Sequence, residues 1–591
     1  MRFLFVISFL CCFNMFSQED IVAAEYYKNG DFEKALLSYK KLYNKSPNNN
    51  TYLLQLVKSL QQLEKYQEAE TLLLEQISRV NYPPLLIELG YNYQLQNNII
   101  QAETYYENAL KTIDQNPNFV FVVGKAFEDR SLLDQAITAY EKAMVLKPDL
   151  NFNVQLARIY GDQGNVEKMF ESYLNFVELN DSYINTIKRA FSEFISENSD
   201  NKNNVLLKRI LLKKIQTDQN LLWNEMLSWL FVQQKDYNKA FTQEKAMFFR
   251  QPESLDRIEE LAHIALADKA YQVALDIFTY LTETAQDLDT KLKAYYNLIE
   301  IKTQLATKEE YNSILSEYKA IFDTYGTHTK TLFIQISYAH FLAFYKHEPN
   351  QAVSVLKQSL ELPLNSFQEA GVKLELGDVL VLQEKFNEAL IYYTQVQRNL
   401  KNSTLSQEAR YKVAKTSYYK GDFKWAESQL KILKSSTSQL IANDALDLML
   451  LITDNKYEDS TQTALKLYAK ADLMAFQNQT DNAIELLDEI LTNHKGKTIE
   501  DQALFKQAQL FEKNQEYHRA EANYQAIITN FSDDILADDA YFFLAELYRK
   551  KLNQPEKAKE LYEKIVFNYQ DSIYFVDARN NFRSLRGDAI N

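Results

Sequence analysis

The chain has 591 residues, enough for several ordinary domains or for one long repetitive one. Hydrophobic residues make up 46% of it, which excludes a wholly disordered chain, and the scarcity of glycine (11) and proline (9) indicates a mostly helical protein. The net charge of −15 excludes a protein that binds nucleic acid or anionic lipid through a basic surface.

The first 17 residues, MRFLFVISFLCCFNMFS, differ from the rest of the chain. One positive charge, Arg2, precedes an apolar run from Phe3 to Phe13, which is too short to span a bilayer comfortably. A small residue, Ser17, follows at a plausible cleavage position, so the pattern predicts a secretory signal peptide over 1–17. A membrane anchor and a buried N-terminal helix are the alternatives.

Both cysteines, Cys11 and Cys12, lie in this leader. Lipid attachment to them is not expected, because a bacterial lipobox has a small residue before the cysteine and Leu10 stands there. The mature chain therefore has no disulfide, no thiolate metal site and no cysteine nucleophile. Removal of the leader also removes one basic residue, Arg2, so 64 basic residues face 80 acidic ones. No transmembrane segment is expected after this removal.

A short pattern then recurs to the end of the chain. The phrases YKNGDFEKALLSYKKLY (27–43) and YYKGDFKWAESQLKIL (418–433) are two of its copies. The alanine of the first phrase, used as a marker, returns mostly at steps of 33 or 34 residues early and of 37 or 38 later. The marker positions, three of them held by another apolar residue, are Ala35, Ala69, Ala102, Ala136, Met169, Leu206, Ala240, Ala274, Ile314, Ala352, Ala389, Ala426, Ala483, Ala520 and Ala558.

Two other positions keep step with the marker. Most copies have a small residue twelve positions before it, namely Ala23, Gly90, Gly124, Ala157, Ala262, Gly377, Ala414, Ala471 and Ala508. A large ring stands four positions after it, namely Tyr39, Tyr106, Tyr140, Tyr173, Phe278, Tyr393, Tyr524 and Tyr562. Such spacing predicts two helices per copy, whose backbones approach at the small residues while the rings fill the space beside them. One pair cannot bury its own apolar faces, so the pairs must stack.

This pattern resembles the tetratricopeptide repeat, whose period is about 34 residues. The resemblance covers nearly the whole mature chain and implies an all-α fold, a right-handed α-solenoid (superhelix) of about fifteen stacked helix-turn-helix units. The period divides the chain into an N-terminal array over 18–330 and a C-terminal array over 331–591 with a period of about 37. The repeats at 526–548 and 564–587 are similar to those of bacterial cell-envelope proteins.

One place interrupts the period. Ala426 and Ala483 are 57 residues apart, one period plus about 20 residues. The intervening sequence predicts an irregular additional helix near 435–460. Such a helix shifts the phase of the stack, and it could be a joint, a docking surface or a neutral insertion.

No catalytic residue, metal site or cofactor is predicted. The stretch HKGKT, from His494, is similar to the end of a phosphate-binding loop, but Leu491 stands where that loop needs glycine. His340 and His347 lie seven residues apart, and the stretch HEPNQ from His347 begins like a zinc motif but lacks its second histidine, so a metal site is not expected. An enzyme with an active site in 181–236, where the repeat is weakest, is the least favoured hypothesis.

The position eleven residues before the marker predicts a binding surface. It holds Lys58, Tyr91, Lys125 and Arg158 in four consecutive copies. The resemblance implies that first helices line a concave face, where three cations and a tyrosine could hold an acidic or extended peptide. The alternative is that these side chains form a solvated surface. The family's clamp for a terminal carboxylate is absent, because its positions hold Asp20, Ala24, Pro84 and Glu88.

These observations together predict an exported, non-enzymatic scaffold for protein–protein interaction. The leader and the late repeats indicate the periplasm or the outer-membrane-associated cell envelope. Protein or peptide partners are expected, and nucleic acid is not. A narrower alternative is an accessory subunit of an envelope machine for secretion, motility or outer-membrane assembly.

Overall fold

The computed structural model describes residues 19–433, 438–457 and 461–588. The predicted signal peptide, 1–17, lies outside these residues and stays a prediction. Every regular element in the described ranges is a helix, and no strand occurs there. The predicted all-α fold is therefore confirmed.

The chain forms two compact units, 1–273 and 274–591. The helices that lie wholly in the first unit are α1 (19–28), α2 (Phe32–Lys45), α3 (Asn50–Gln62), α4 (Tyr66–Arg79), α5 (Pro84–Leu95), α6 (Ile99–Gln115), α7 (Val120–Asp129), α8 (Leu133–Leu146), α9 (Asn153–Asp162), α10 (Val166–Leu179), α11 (Ile184–Ser192), α12 (Lys202–Thr217), α13 (Leu221–Gln233), α14 (Tyr237–Arg250) and α15 (Asp256–Ala267).

Helix α16 (Tyr271–Thr284) spans the division between the units. The helices of the second unit are α17 (Leu288–Leu305), α18 (Tyr311–Tyr325), α19 (Leu332–Phe344), α20 (Pro349–Ser359), α21 (Ser366–Leu382), α22 (Phe386–Asn399), α23 (Thr404–Tyr419), α24 (Phe423–Leu433), α25 (Gln439–Asn455), α26 (Thr463–Phe476), α27 (Thr480–Asn493), α28 (Glu500–Lys513), α29 (Tyr517–Asn530), α30 (Ala537–Lys550), α31 (Pro555–Asn568) and α32 (Phe575–Arg586). The predicted division at 330/331 rests on repeat period alone and stays a prediction.

Consecutive helices form the repeats. Of the 32 helices in the described ranges, thirty are arranged along the chain as fifteen pairs, and α25 and α32 lie outside the pairs. Every marker residue lies on the second helix of its pair, and all except Leu206 are buried. In most pairs within each compact unit, for example α5–α6, α9–α10 and α30–α31, the two helices pack closely against each other. The predicted number of about fifteen repeats is confirmed, whereas the handedness of the superhelix stays a prediction.

In several repeats the small residue and the large ring are in direct contact. A methyl group added at Gly90 of α5 would lie 2.6 Å from Cε1 of Tyr106, on α6. A methyl group added at Gly377 of α21 would likewise overlap the ring of Tyr393 on α22, a residue that is 1% exposed. The ring therefore packs on the bare backbone of the first helix, which explains why large rings and small residues recur together at a separation of 16 residues.

Short turns join the two helices of each pair. The turn between α1 and α2 contains Gly30 with φ of +81°, and the turn between α23 and α24 contains Gly421 with φ of +83°. This left-handed conformation is one that glycine adopts without a steric cost. Other turns place a polar residue there, such as Asn97 with φ of 59° and Asn478 with φ of 59°.

Helix α25 lies where the sequence lengthens the period. It packs mainly on α24, and the next first helix, α26, packs on α23. Two polar contacts hold the end of α25: Lys456 forms an ion pair with Glu427 on α24, and Thr498 Oγ1 donates to Asn455 Oδ1 at 2.7 Å. The second helix of the preceding pair is thus covered by α25 instead of by the following repeat.

Candidate protein-binding surface

The four predicted residues lie on first helices of consecutive pairs. Lys58 is on α3, Tyr91 on α5, Lys125 on α7 and Arg158 on α9. Lys58 and Tyr91 are half-buried, whereas Lys125 and Arg158 are exposed. Helices α3, α5 and α7 pack against one another in this order, so equivalent positions follow each other across the repeats.

Two of the three cations have carboxylate partners within the protein. Lys125 Nζ lies 2.9 Å from Asp129 Oδ1, one turn further along α7. Arg158 forms an ion pair with Glu128, which links α9 to α7. Lys58 makes no ion pair with any residue in the described ranges. An acidic ligand would therefore meet one unpaired cation and two that it must share with Asp129 and Glu128.

The most buried charges on this surface belong to Arg130 and Glu88. Arg130 follows the last residue of α7, and its Nε lies 3.0 Å and 3.1 Å from the two carboxylate oxygens of Glu88 on α5. Its guanidinium also donates to Gln61 Oε1 on α3 at 2.8 Å and lies 4.2 Å from the ring centroid of Tyr91. The Arg130 and Glu88 side chains are only 9% and 5% exposed, so the pair is almost fully desolvated.

This cluster of Arg130, Glu88, Gln61 and Tyr91 joins three consecutive first helices. Burial opposes the charge of Arg130, but its hydrogen bonds to the Glu88 carboxylate and the attraction between the two charges outweigh this effect and raise the pKa of the guanidinium. The cluster is hydrogen-bonded on nearly every side, except that the Gln61 amide nitrogen has no partner among the described residues. It holds the backbones beneath Lys58 and Lys125 in a fixed relation and contains no group poised for a reaction.

The sequence analysis identified Tyr91 but missed Arg130 and its role with Glu88. The two residues are 42 positions apart, so no local pattern connects them. One feature of the sequence does point to this pair: a charged residue stands at a position where other repeats have an uncharged one. Glu88 occupies a buried position of α5 for which other repeats have an apolar or amide side chain, as at Val122 and Gln155.

The segment 181–236 consists of helices of the same kind as its neighbours. It contains α11, α12 and α13, and its polar side chains contact one another or the backbone. Lys188 Nζ lies 2.6 Å from Glu225 Oε1, and the Asn204 amide donates to the Ser196 carbonyl at 2.6 Å. Across the described part of the chain, no group of three or more histidine, cysteine or acidic residues is placed to hold a metal ion. None of the described helices is long and apolar enough to cross a membrane.

Comparison with known proteins finds one family model that matches a segment of the chain. A family model described as a tetratricopeptide repeat matches residues 505–573. No curated protein sequence matches the chain. Two solved structures align at 12% identity: "Structure of Naa15/Naa10 bound to HypK-THB" with 97% of this chain, 96% of that chain and a TM-score of 0.28, and "Crystal structure of APC/C hetero-tetramer Cut9-Hcn1" with 95% of each chain and a TM-score of 0.23.

The matched segment contains the marker residues Ala520 and Ala558, each buried on the second helix of its pair. The same arrangement of marker, turn and helix pair recurs from α1 to α31 in the described ranges. The segment 505–573 is therefore similar to the tetratricopeptide repeat, and the described part of the chain is an array of helix pairs with the same internal arrangement.

Proposed function

We propose that this protein is an exported scaffold of the cell envelope that binds acidic or extended segments of partner proteins on its first helices. Stacked helix pairs of this kind present extended surfaces for protein–protein interaction. The observation that carries the proposal is the row of Lys58, Tyr91, Lys125 and Arg158, which places cations and an aromatic ring at one position of four successive first helices.

The chemistry of the row favours an acidic ligand. Lys58 is half-buried on α3, three residues before Gln61, and has no counter-ion in the described ranges, so a carboxylate there would gain a charge-assisted hydrogen bond. Lys125 and Arg158 are exposed enough to exchange an intramolecular carboxylate for one from a ligand. The Arg130–Glu88 pair fixes α5 and α7, which reduces the ordering that binding would require.

Changing Lys58, Lys125 and Arg158 together to alanine tests the row. We expect the free energy of unfolding to change by no more than about 0.5 kcal/mol per site, because partly exposed positions away from the core tolerate substitution. Partner binding should weaken far more, since each charge-assisted hydrogen bond contributes about 1.5–3 kcal/mol. The measurement is affinity capture from the native envelope with quantitative mass spectrometry, followed by titration of the captured partner.

A triple variant on second helices provides the matched control. Lys34, Arg79 and Lys111 are exposed cations on α2, α4 and α6, each paired with an acidic residue of its own helix or the preceding turn. Their change to alanine removes the same charge without touching the first helices. If both triple variants recover every partner at wild-type levels, partners do not bind through the row.

The proposed location rests on the leader and on the acidic mature chain without cysteine. We expect the mature protein to begin near Gln18 and to be recovered outside the cytoplasm. N-terminal sequencing of the protein purified from the envelope fraction measures this directly. A retained Met1, or a lipid on Cys11 or Cys12, would contradict cleavage at this position.

A further inference from the structure

The regular repeats of the second unit contact each other in a fixed way at their turns. In several of these pairs a side chain near the turn reaches the start of the second helix of the preceding pair. Lys420 Nζ lies 3.0 Å from Asn387 Oδ1, and Gln383 Nε2 lies 2.9 Å from Asn350 Oδ1. These partners are 33 residues apart, so the turns of adjacent pairs lie side by side.

The turn between α26 and α27 departs from this rule. Gln477 Nε2 donates to the Leu382 carbonyl at 3.1 Å and lies 3.3 Å from Glu384 Oε1. Asn478 Nδ2 donates to the Phe344 carbonyl at 3.3 Å. These partners are 93 to 134 residues earlier in the chain and belong to the ends of α21 and α19. The turn therefore contacts the pairs α19–α20 and α21–α22, instead of the turn of the preceding pair, α23–α24.

Apolar side chains follow the same path. The ring of Phe476, the last residue of α26, has its centroid 5.4 Å from that of Phe344 and 6.2 Å from that of Tyr419, at the ends of α19 and α23. Leu473 of α26 is buried in the hydrophobic core built by α17 to α23, not in the core of its own pair. The C-terminal half of α26 thus covers the ends of three first helices.

A buried charge holds α26 in this position. The Asp472 side chain is only 10% exposed. Its carboxylate lies 2.5 Å from Lys415 Nζ on α23 and 2.7 Å from Lys506 Nζ on α28. The two ammonium groups neutralise a carboxylate that burial alone would disfavour, and they connect α26 to the helices before and after it.

Packing on the other side of α26 is reduced. In regular repeats the second helix of a pair packs closely on the next first helix, as α20 does on α21 and α29 on α30. Here α24 packs on α25, and α25 makes only a small contact with α26. The attachment of α26 to the earlier repeats thus depends on its contacts with the first helices and on Asp472.

From these contacts we propose that α26 is an intramolecular strap, which covers the ends of α19, α21 and α23 and opens about α25 to expose Phe344 and Tyr419. Closed, the strap occupies a surface of first helices. When the strap opens, the surface beneath it exposes two aromatic rings, the Leu382 carbonyl and the Glu384 carboxylate. This inference goes beyond the proposed function, because it concerns the second unit and not the row in the first.

Hydrogen exchange with mass spectrometry on the full mature chain tests the strap. Asp472→Asn removes the negative charge that pairs α26 with Lys415 and Lys506. Gln477→Ala combined with Asn478→Ala removes the hydrogen bonds of the turn that follows α26. In both variants we expect amide exchange at the ends of α19 and α21 to rise by roughly tenfold or more, with α29 and α31 unchanged. The turn variant removes no buried charge, so it tests the strap even if the Asp472 variant folds poorly.

Two control variants separate opening from general loosening. Asp378→Asn breaks an ion pair of 2.6 Å with Lys412 between α21 and α23, and Asn387→Ala breaks a regular turn contact. Neither touches α26. The strap is overturned if the controls accelerate exchange at the ends of α19 and α21 as much as the strap variants do, or if the strap variants leave exchange there unchanged.

A thiol probe gives a second readout. The mature chain has no cysteine, so a single cysteine placed by Phe344→Cys is the only site that a maleimide can label. Labelling should be faster when Gln477→Ala and Asn478→Ala are added than when Asn387→Ala is added. Equal labelling rates in the two backgrounds would mean that α26 does not uncover the end of α19.

Discussion

Replacing Arg130 with alanine is expected to destabilise the repeats around α5 by about 3–5 kcal/mol, because it leaves the Glu88 carboxylate buried without a partner. Glu88 is 5% exposed and receives both hydrogen bonds of the arginine Nε, so water cannot replace them without disrupting α5. The variant also removes the guanidinium from the Gln61 oxygen and the Tyr91 ring. Urea denaturation, combined with hydrogen exchange in α3, α5 and α7, measures the loss.

The matched variant removes both charges. Arg130→Met with Glu88→Leu replaces the ion pair by apolar side chains of similar size, which in buried sites is often neutral or stabilising. We expect this double variant to regain most of the stability lost in Arg130→Ala. A single variant within about 1 kcal/mol of wild type would show that Glu88 tolerates burial unpaired, contrary to the general cost of such a charge.

Two glycines of the same helix, Gly377 and Gly371, should respond to alanine with opposite signs. At Gly377 the added methyl group would overlap the buried ring of Tyr393, and such overpacking costs about 1–3 kcal/mol. At Gly371 the nearest atom is Ile336 Cδ1 at 3.6 Å, an ordinary contact. Gly371→Ala should therefore stabilise α21 by about 0.5–1 kcal/mol, because alanine favours helix over glycine.

Thermal and urea denaturation of the two alanine variants test this contrast. Each variant is the control for the other, because both add one methyl group to α21. Combining Gly377→Ala with Tyr393→Leu should recover part of the loss, since the smaller side chain no longer fills the place of the methyl group. Equal effects at the two glycines would refute the direct contact between ring and backbone as the cause of the repeated pattern.

The internal arrangement of a repeat could be predicted from the sequence because every copy repeats the same contact. Gly90 and Tyr106, or Gly377 and Tyr393, are 16 residues apart in each case, and repetition makes this spacing visible. The row that includes Lys58 and Tyr91 follows from the same regularity. Its position on successive first helices could be predicted, whereas its ligand could not.

Contacts that occur at only one place in the array could not be predicted. The Arg130–Glu88 pair and the hydrogen bond from Asn478 to the Phe344 carbonyl join residues 42 and 134 positions apart, and each occurs once. A single pair of residues has no period, so the pattern that identifies the repeats carries no information about it. The path of α26 depends in addition on how α25 packs, which the 57-residue spacing alone does not determine.

The Arg130 side chain has a consequence for how the first repeats come apart. In a linear array whose members interact only with their neighbours, the terminal members fray one at a time, as in a one-dimensional Ising chain. Arg130 at the end of α7 bonds both Glu88 on α5 and Gln61 on α3, so it couples a repeat to its second neighbour. Such an interaction between second neighbours lengthens the correlation along the array, so we expect the second, third and fourth repeats to lose their structure in one cooperative step.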